Sequence, residues 1–206
     1  MQKIVIVSAL DEEIKLAEEL KNTLLKANFE VYLTKCGIGK VNAAIATYKA
    51  IKEYEPDYVI SFGLAGCLRQ NFLNIGNTIV LAKQAFYWDA WCGEPNICGQ
   101  IQGFPLFYPC VDNQEISDAI INHFSKEYNV VKGFSVATSD KFADKPWYEE
   151  DILEIDYLAG AVDMEAAAVA QVCHMENTAF IACKIISDYV GQENQMDEYL
   201  KIKHSL

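Results

Sequence analysis

The sequence predicts an α/β fold: a single domain with a central, twisted, mixed sheet flanked by helices. Short apolar runs alternate with longer segments of helical periodicity along the chain. The apolar runs are hydrophobic on both faces, and such strands need a layer of helices on each side of the sheet. With 206 residues the chain has room for one large domain, so we expect residues 1–206 to fold as a single unit.

The spacing of the apolar residues predicts where each strand and helix lies along the chain. A run of four apolar residues opens the chain as a strand, and the next segment carries Ile14, Leu20 and Leu24 on one helical stripe. Gly37 and Gly39 form a tight turn before the second helix, and the fourth helix is rich in alanine. Strands are predicted at 4–7, 30–34, 58–62, 78–82, 134–137, 161–164 and 180–186, and helices at 11–26, 41–54, 115–128, 165–175 and 197–202.

The segment 86–110 departs from this alternation. It is rich in aromatic residues, with glycine and proline between them, and it shows no clean period. A loop of this composition is typical either of a lid over a binding site or of a contact between subunits. Both interpretations stay open at the level of the sequence.

Charge and hydropathy exclude two classes of partner. The formal net charge is −12 and Arg69 is the only arginine, whereas nucleic-acid binding relies on Lys and Arg to neutralise phosphates. No stretch reaches the roughly 20 apolar residues that a membrane-spanning helix needs. The first residues turn acidic too early for a signal peptide. We therefore expect a cytoplasmic protein with no nucleic-acid or membrane partner.

The cysteines and histidines give no sign of a metal site. None of the seven cysteines forms a Cys-x-x-Cys pair, and the three histidines lie far apart in the sequence. Scattered cysteines within apolar segments are typical of reduced thiols in a cytosolic protein. We expect neither a metal nor a cofactor.

Acidic residues follow three of the predicted strands. Glu165 comes after the strand at 161–164 and Asp188 after the strand at 180–186, while Glu12 and Glu13 follow the first strand. Strand ends of an open α/β sheet form the edge where ligands bind. Three carboxylate-bearing strand ends at one edge predict a site for acid–base chemistry. The sequence leaves Glu12 and Glu13 open as alternatives, because both lie just past the same strand.

Three further segments have competing interpretations. Gly37-Ile-Gly-Lys lacks the spacing of a phosphate-binding loop and is favoured as a plain strand-to-helix turn. The small residues of 63–66, ending at Gly66, form either a turn or a close approach of the backbone to a ligand. Phe142 follows a strand and either stacks on a planar base or fills the core, with the core favoured.

The motifs together resemble one known family. Val-Asp-Met-Glu-Ala at 162–166, followed by Ile-Ser-Asp at 186–188, resembles the purine-nucleoside phosphorylase/nucleosidase superfamily. Four more segments are similar to one branch, the 5′-methylthioadenosine/S-adenosylhomocysteine nucleosidases: Ser-Ala-Leu-Asp-Glu-Glu at 8–13, Cys-Gly-Ile-Gly-Lys-Val-Asn-Ala-Ala at 36–44, Gly-x-Ala-Gly at 63–66 and Tyr-x-Asp-Ala at 87–90. The similarity runs in order from Met1 to about Leu200.

The resemblance implies hydrolysis of the N-glycosidic bond of a purine nucleoside, most simply methylthioadenosine or adenosylhomocysteine, with release of adenine. It implies that Asp188 protonates N7 of the base and that Glu13 activates the attacking water. An acid that keeps its proton near neutral pH needs a raised pKa, which we expect burial to give Asp188. The resemblance assigns substrate contacts to Glu165 and Met164 at the ribose, to Phe142 and Ala143 at the base, to Ser187 beside Asp188, and to Gly66.

Leu64 and Lys184 are among the positions that depart from the family pattern, as are Trp88 and Trp91 beside Asp89. Leu64 stands where relatives carry a serine that helps to hold the water, and Lys184 stands where they carry an arginine. The acidic loop before Glu13 would repel phosphate, so water is the favoured nucleophile. The resemblance also implies a homodimer in which the loop 86–108 reaches toward the partner's site, and a role in methionine salvage.

Other functions remain possible from the sequence. A futalosine hydrolase or another purine nucleosidase would use the same residues. A phosphorylase would need Lys35, Lys40 or Lys184 to hold phosphate. A protein that only binds nucleosides is favoured by Leu64 but not by the water-activating carboxylate, which binding alone does not require.

Overall fold

The computed structural model describes residues 1–68 and 73–206, so Arg69 lies outside the described residues. Strands and helices alternate along most of this length. In chain order they are β1 Lys3–Ser8, α1 Asp11–Lys26, β2 Glu30–Lys35, α2 Lys40–Tyr54, β3 Tyr58–Cys67, β4 Thr78–Leu81, β5 Gln84–Tyr87, β6 Tyr108–Pro109, α3 Gln114–Phe124, β7 Asn129–Lys132, β8 Ser135–Thr138, α4 Trp147–Ile155, β9 Ala159–Asp163, α5 Ala166–Met175, β10 Ala179–Tyr189 and α6 Gln195–Ser205.

The strands of the described residues form one mixed sheet. Its main path runs β6-β5-β8-β9-β3-β10-β4-β7, and β1 pairs with both β2 and β3. The long strand β3 is parallel to β1 and β10 and antiparallel to β9. This arrangement confirms the predicted α/β class with a mixed sheet.

Apolar residues cover both faces of the sheet, as we predicted from strands that are hydrophobic on both faces. Along β3, Val59 packs into one core cluster, which includes Ala43 of α2 and Val169 of α5. Its neighbour Ile60 packs into a second cluster, which includes Leu20 of α1 and residues of α3. Successive side chains of a strand point to opposite faces, so α2 and α5 cover one face and α1 and α3 the other.

Several predicted boundaries were wrong. The strand predicted at 58–62 continues to Cys67, so the segment 63–66 is strand rather than turn. Strand β10 continues past 186 and contains Asp188, and α5 begins at Ala166 with Glu165 as its N-cap residue. The segment 86–110 contributes to β5 and β6, and strand β7 and helix α4 were not predicted.

The position of Phe142 and the properties of the helices bear on two further expectations. Phe142 is half-buried and lines a cleft rather than filling the core, which corrects the favoured interpretation. Among the described residues, no helix combines the length and the hydropathy that crossing a bilayer requires.

Candidate active site

A cleft opens beside the ends of β3, β9 and β10, with about 560 Å³ of empty space when its opening to solvent is included. The carboxylate-bearing residues Glu13, Glu165 and Asp188 all line it. The other residues singled out in the sequence, which are Gly66, Phe142, Ala143, Met164 and Ser187, line the same cleft. The fold therefore brings all eight together, although they come from opposite ends of the chain.

Glu13 is held at one side of the cleft by backbone donors. Its Oε1 accepts a hydrogen bond from the Leu64 amide at 2.8 Å, and its Oε2 accepts bonds from Ala9 at 2.8 Å and Leu10 at 3.0 Å. Burial raises the pKa of Glu13, and these backbone bonds oppose that rise. Glu12 is not among the residues that line the cleft, and its Oε1 lies 3.7 Å from Lys203 Nζ. Of the two alternatives, Glu13 is the one that faces the cleft.

Glycine at position 63 makes room for this carboxylate. A Cβ atom at Gly63 would lie 2.5 Å from Glu13 Oε1, closer than non-bonded atoms approach. A Cβ at Gly66 would lie 3.1 Å from Asp188 Oδ2. The two glycines of β3 thus serve close packing against two carboxylates, and neither is a turn residue.

An irregularity in β10 positions Asp188. The pairing of β10 with β3 shifts by one residue between Ile186 and Asp188, which leaves Ser187 as the extra residue of a bulge. Bulges re-aim side chains and are common next to active sites. Ser187 Oγ donates to Asp188 Oδ1 at 2.5 Å, and Gln195 Nε2 donates to Oδ2 at 2.7 Å. Burial raises the pKa of Asp188, in agreement with the sequence-based expectation, while both of these bonds lower it.

Glu165 lies between α5 and the glycine turn before α2. Its Oε1 accepts a hydrogen bond from the Gly39 amide at 2.8 Å. Burial and the nearby charge of Asp163 raise the pKa of Glu165 to about 7. The side chain can therefore exchange between its neutral and ionised forms near neutral pH.

Sequence reasoning missed a buried ion pair between Lys184 and Asp163, of which Asp163 lines the cleft. Lys184 Nζ lies 2.9 Å from Asp163 Oδ2 and donates to Ser61 Oγ at 3.0 Å, and both members of the pair are almost fully buried. Asp163 also accepts hydrogen bonds from Thr138 Oγ1 and from the amide of Ala166. Burial alone would lower the pKa of Lys184, but Asp163 and Glu165 together raise it. The sequence carried one signal for this pair: each of the apolar runs 161–164 and 180–186 contains a single charged residue.

Helix α6 supplies two cleft residues that the sequence did not indicate. The Tyr199 ring packs edge-on against Phe142, with 5.7 Å between the centroids. Gln195, the first residue of α6, is buried beside Asp188. Neither residue belongs to a periodic pattern or a recognisable motif. Within residues 1–68 and 73–206, no cluster of three His, Cys, Asp or Glu side chains could hold a metal ion.

The geometry suits proton transfer at two points of one ligand. A buried carboxyl with a raised pKa lies on β10, and a second carboxylate, held by backbone amides, lies at the start of α1. Glycosidic bond cleavage uses such a pair, with an acid on the leaving group and a base on water. Phe142 lines the same cleft as the acid, and Gln195 Nε2 bonds to both Asp188 and the Ala143 carbonyl.

Comparisons with known proteins agree with this chemistry. The model of the phosphorylase superfamily matches residues 3–203. The chain is 34% identical to the 5′-methylthioadenosine/S-adenosylhomocysteine nucleosidase of Bacillus velezensis and 35% identical to that of Bacillus pumilus, covering 97% of this chain and 92% of the relative in each case.

Solved structures give the same result. The nucleosidase of that name from Neisseria meningitidis, in complex with methylthio-immucillin-A, matches with a TM-score of 0.85 and 25% identity over 98% of this chain and 92% of the other. The one from Colwellia psychrerythraea, in complex with adenine, matches with a TM-score of 0.83 and 26% identity over 98% and 89%.

Proposed function

Because this chain belongs to the phosphorylase superfamily and, within it, to the 5′-methylthioadenosine/S-adenosylhomocysteine nucleosidases, we propose that it hydrolyses the N-glycosidic bond of these nucleosides and releases adenine. The observation that carries the proposal is the convergence of Glu13, Glu165 and Asp188 on one cleft. A binding protein has no need of a buried base and a buried acid at the same ligand. The proposed substrates, methylthioadenosine and adenosylhomocysteine, are those of the related nucleosidases.

Asp188 is the general acid of the proposed reaction. Its carboxyl gives a proton to N7 of the purine, which makes the base a neutral leaving group. Burial raises the pKa of Asp188 and so helps it to hold that proton before transfer. Phe142 stacks on the base and the Ala143 main chain bonds to its edge, while Ser187 fixes the rotamer of the acid.

Glu13 is the general base. Its carboxylate accepts a proton from the attacking water as the bond to the base breaks, and its raised pKa makes it a stronger base than an exposed carboxylate. The Leu64 side chain packs in the second core cluster and also lines the cleft, and its backbone amide donates to Glu13. The family's serine hydroxyl is absent at this position, and the backbone support of the base is retained.

Glu165 and Met164 hold the sugar. A carboxylate that accepts a hydrogen bond from a ribose hydroxyl stabilises the positive charge that develops on the ring as the bond breaks. The Gly39 amide fixes one oxygen of Glu165 and leaves the other for the substrate. Met164 lines the cleft beside Glu165 and gives the ribose an apolar surface.

The three lysines considered for phosphate already have carboxylate partners. Lys35 Nζ lies 2.7 Å from Asp11, Lys40 Nζ lies 2.9 Å from Asp89, and Lys184 is paired with Asp163. A phosphate dianion would have to displace a carboxylate in each case and would face the charge of Glu13. This pairing supports water over phosphate as the nucleophile.

The proposed reaction can be tested directly. We expect the purified protein to release free adenine from methylthioadenosine and adenosylhomocysteine, at the same rate with and without phosphate, as followed by chromatography. Adenosine and inosine serve as comparison substrates. Release that requires phosphate would make the protein a phosphorylase, release mainly from a 6-oxo nucleoside would favour a futalosine-hydrolase-like activity, and no release from any substrate would leave only nucleoside binding.

The assembly we propose is a homodimer acting in the cytoplasm, in methionine salvage. Its support is an exposed apolar stripe on α2, in which Val41, Ile45 and Tyr48 are 69%, 51% and 48% exposed, together with exposed Trp91 in the aromatic segment. Such stripes are typical of subunit contacts. Sedimentation at micromolar concentration should show a dimer, and Ile45→Asp should shift it to monomer. A monomer in the unsubstituted protein would contradict the proposal.

A further inference from the structure

Gln195 uses its side-chain oxygen and both of its amide hydrogens in hydrogen bonds inside the cleft. Its Oε1 accepts from the Gly191 amide at 2.8 Å, and its Nε2 donates to Asp188 Oδ2 at 2.7 Å and to the Ala143 carbonyl at 3.0 Å. The orientation of the amide follows from its partners, because a backbone N–H only donates while a carboxylate and a carbonyl only accept. Both hydrogens of the NH₂ group are therefore directed at Asp188 and Ala143.

An adenine base presents the same donor. Its exocyclic amino group is a planar NH₂ with two hydrogens, and it lies beside N7 on the edge of the purine. An acid that reaches N7 therefore lies next to this amino group, and its second carboxyl oxygen is the nearest acceptor. In this cleft a nitrogen within reach of both Asp188 Oδ2 and the Ala143 carbonyl already exists, and it is Gln195 Nε2.

We propose that Gln195 is a gate on base recognition, whose carboxamide occupies the position of the adenine amino group and must leave Asp188 and Ala143 before the base binds. The proposal rests on the proposed function, since that function supplies the base. Gln195 acts here as a specificity-determining residue: it competes with a 6-amino group and does not compete with a purine that lacks one.

The attachment of α6 allows the gate to open. Gln195 is the only fully buried residue of α6, and Tyr199 and Ile202 pack against the second core cluster, so the helix can stay in place while the Gln195 side chain withdraws. The helix follows Gly191, which has a φ of 70° and lets the chain turn just before it. The remaining contacts of α6 include the Tyr199 ring against Phe142 and the partly exposed pair of Lys203 with Glu12.

Opening of the gate also affects the acid. The bonds from Ser187 and Gln195 stabilise the ionised form of Asp188, whereas burial and the nearby charge of Glu198 favour the neutral form and so raise its pKa. When Gln195 leaves, one of the two stabilising bonds is lost, and Asp188 takes up a proton from solvent more readily. Entry of the base and protonation of its catalytic acid are then coupled through one side chain.

The test compares two bases on one variant. Gln195→Ala removes the competing amide, so we expect adenine to bind about tenfold more tightly by calorimetry, the equivalent of about one displaced hydrogen bond. Purine without the 6-amino group does not compete with the amide, and its affinity should change less than about twofold. Glu193→Ala, an exposed change in the same segment, is the control and should alter neither affinity.

Other outcomes would contradict the proposal that Gln195 is a gate. Adenine binding that is unchanged or weaker in Gln195→Ala would assign Gln195 to supporting Asp188 or α6. If the variant does not fold, hydrogen exchange of glutamine side-chain amides in the unsubstituted protein decides instead. One protected amide should lose its protection when adenine is added and keep it with purine, and no such loss would contradict the proposal.

Failure of the gate is distinguishable from failure of the hydrolase assignment. Both readouts measure binding of free bases and need no turnover. Hydrolysis without an adenine-specific gain in Gln195→Ala would remove the gate alone. An adenine-specific gain in a protein that cleaves no nucleoside would keep the gate and remove hydrolysis.

Discussion

Asp188→Asn will lower kcat/KM for methylthioadenosine by about a thousandfold, within the range that general acid catalysis contributes. Asparagine has the shape of aspartate but cannot give a proton to N7, so the base must leave as an anion. Burial of the native side chain makes the loss larger than an exposed carboxyl would show, because no water replaces the missing donor. Steady-state kinetics of free adenine release measure the effect.

A matched change on α6 serves as the control for this result. Asp197→Asn removes an exposed carboxylate from the same part of the chain and should leave kcat/KM within about twofold. The pH dependence gives a second check. Asp188 works protonated, and its folded-state pKa is raised, so kcat/KM should decline as pH rises through a value above the ordinary 3.8. A profile with no group titrating above about pH 5 would count against the assignment.

Lys184→Met will destabilise the protein by about 3–5 kcal/mol at pH 7.5, the usual cost of removing one partner of a buried ion pair. The change leaves Asp163 without its cation. It also removes the positive charge that offsets the repulsion between Glu165 and Glu13. Methionine has similar length and no charge, so the cavity contributes little. Urea denaturation measures the free energy of unfolding.

Two further variants isolate the electrostatic part of the destabilisation caused by Lys184→Met. Adding Asp163→Asn to Lys184→Met should restore much of the loss, because the uncompensated charge is gone. Lys145→Met breaks the exposed pair with Asp144, which solvent screens, and should change the free energy of unfolding far less than Lys184→Met does. A loss in Lys184→Met no larger than in Lys145→Met would refute the buried-pair account.

The destabilisation should depend on pH in a definite direction. The charge of Lys184 lowers the pKa values of Glu165 and Glu13, so its removal raises them further above their unfolded values. A carboxyl whose folded pKa is raised binds its proton more tightly when folded, and stability falls as pH rises through that window. The loss in Lys184→Met should therefore be smaller at pH 5 than at pH 8.

The carboxylates of the cleft were predictable because each one interrupts or follows an apolar run. Glu13, Glu165 and Asp188 all come near a strand end, and strand ends of one sheet meet at one edge. The class of the fold followed from the same runs. The residue pattern alone did not decide which of Glu12 and Glu13 faces the cleft, since that depends on the rotation of α1, whereas the family resemblance assigned the role to Glu13.

The missed features have physical reasons. Glycine is rare in strands, so Gly63 and Gly66 predicted an early end of β3, whereas the structure uses them for contact with carboxylates. The pairing of Lys184 with Asp163 joins two strands, and nothing in either run identifies the partner. Gln195 enters the site through the packing of a short helix that has little apolar pattern of its own.

The position of β10 also has a consequence for how the chain reaches its native state. This strand is among the last elements in the sequence, yet it lies between β3 and β4. The centre of the sheet therefore closes only after a segment distant along the chain has been inserted, and such non-local pairing is slow. Helical signal should return early when the denatured chain is diluted into buffer. Nucleoside cleavage should return last, once β10 has carried Asp188 across the molecule to meet Glu13.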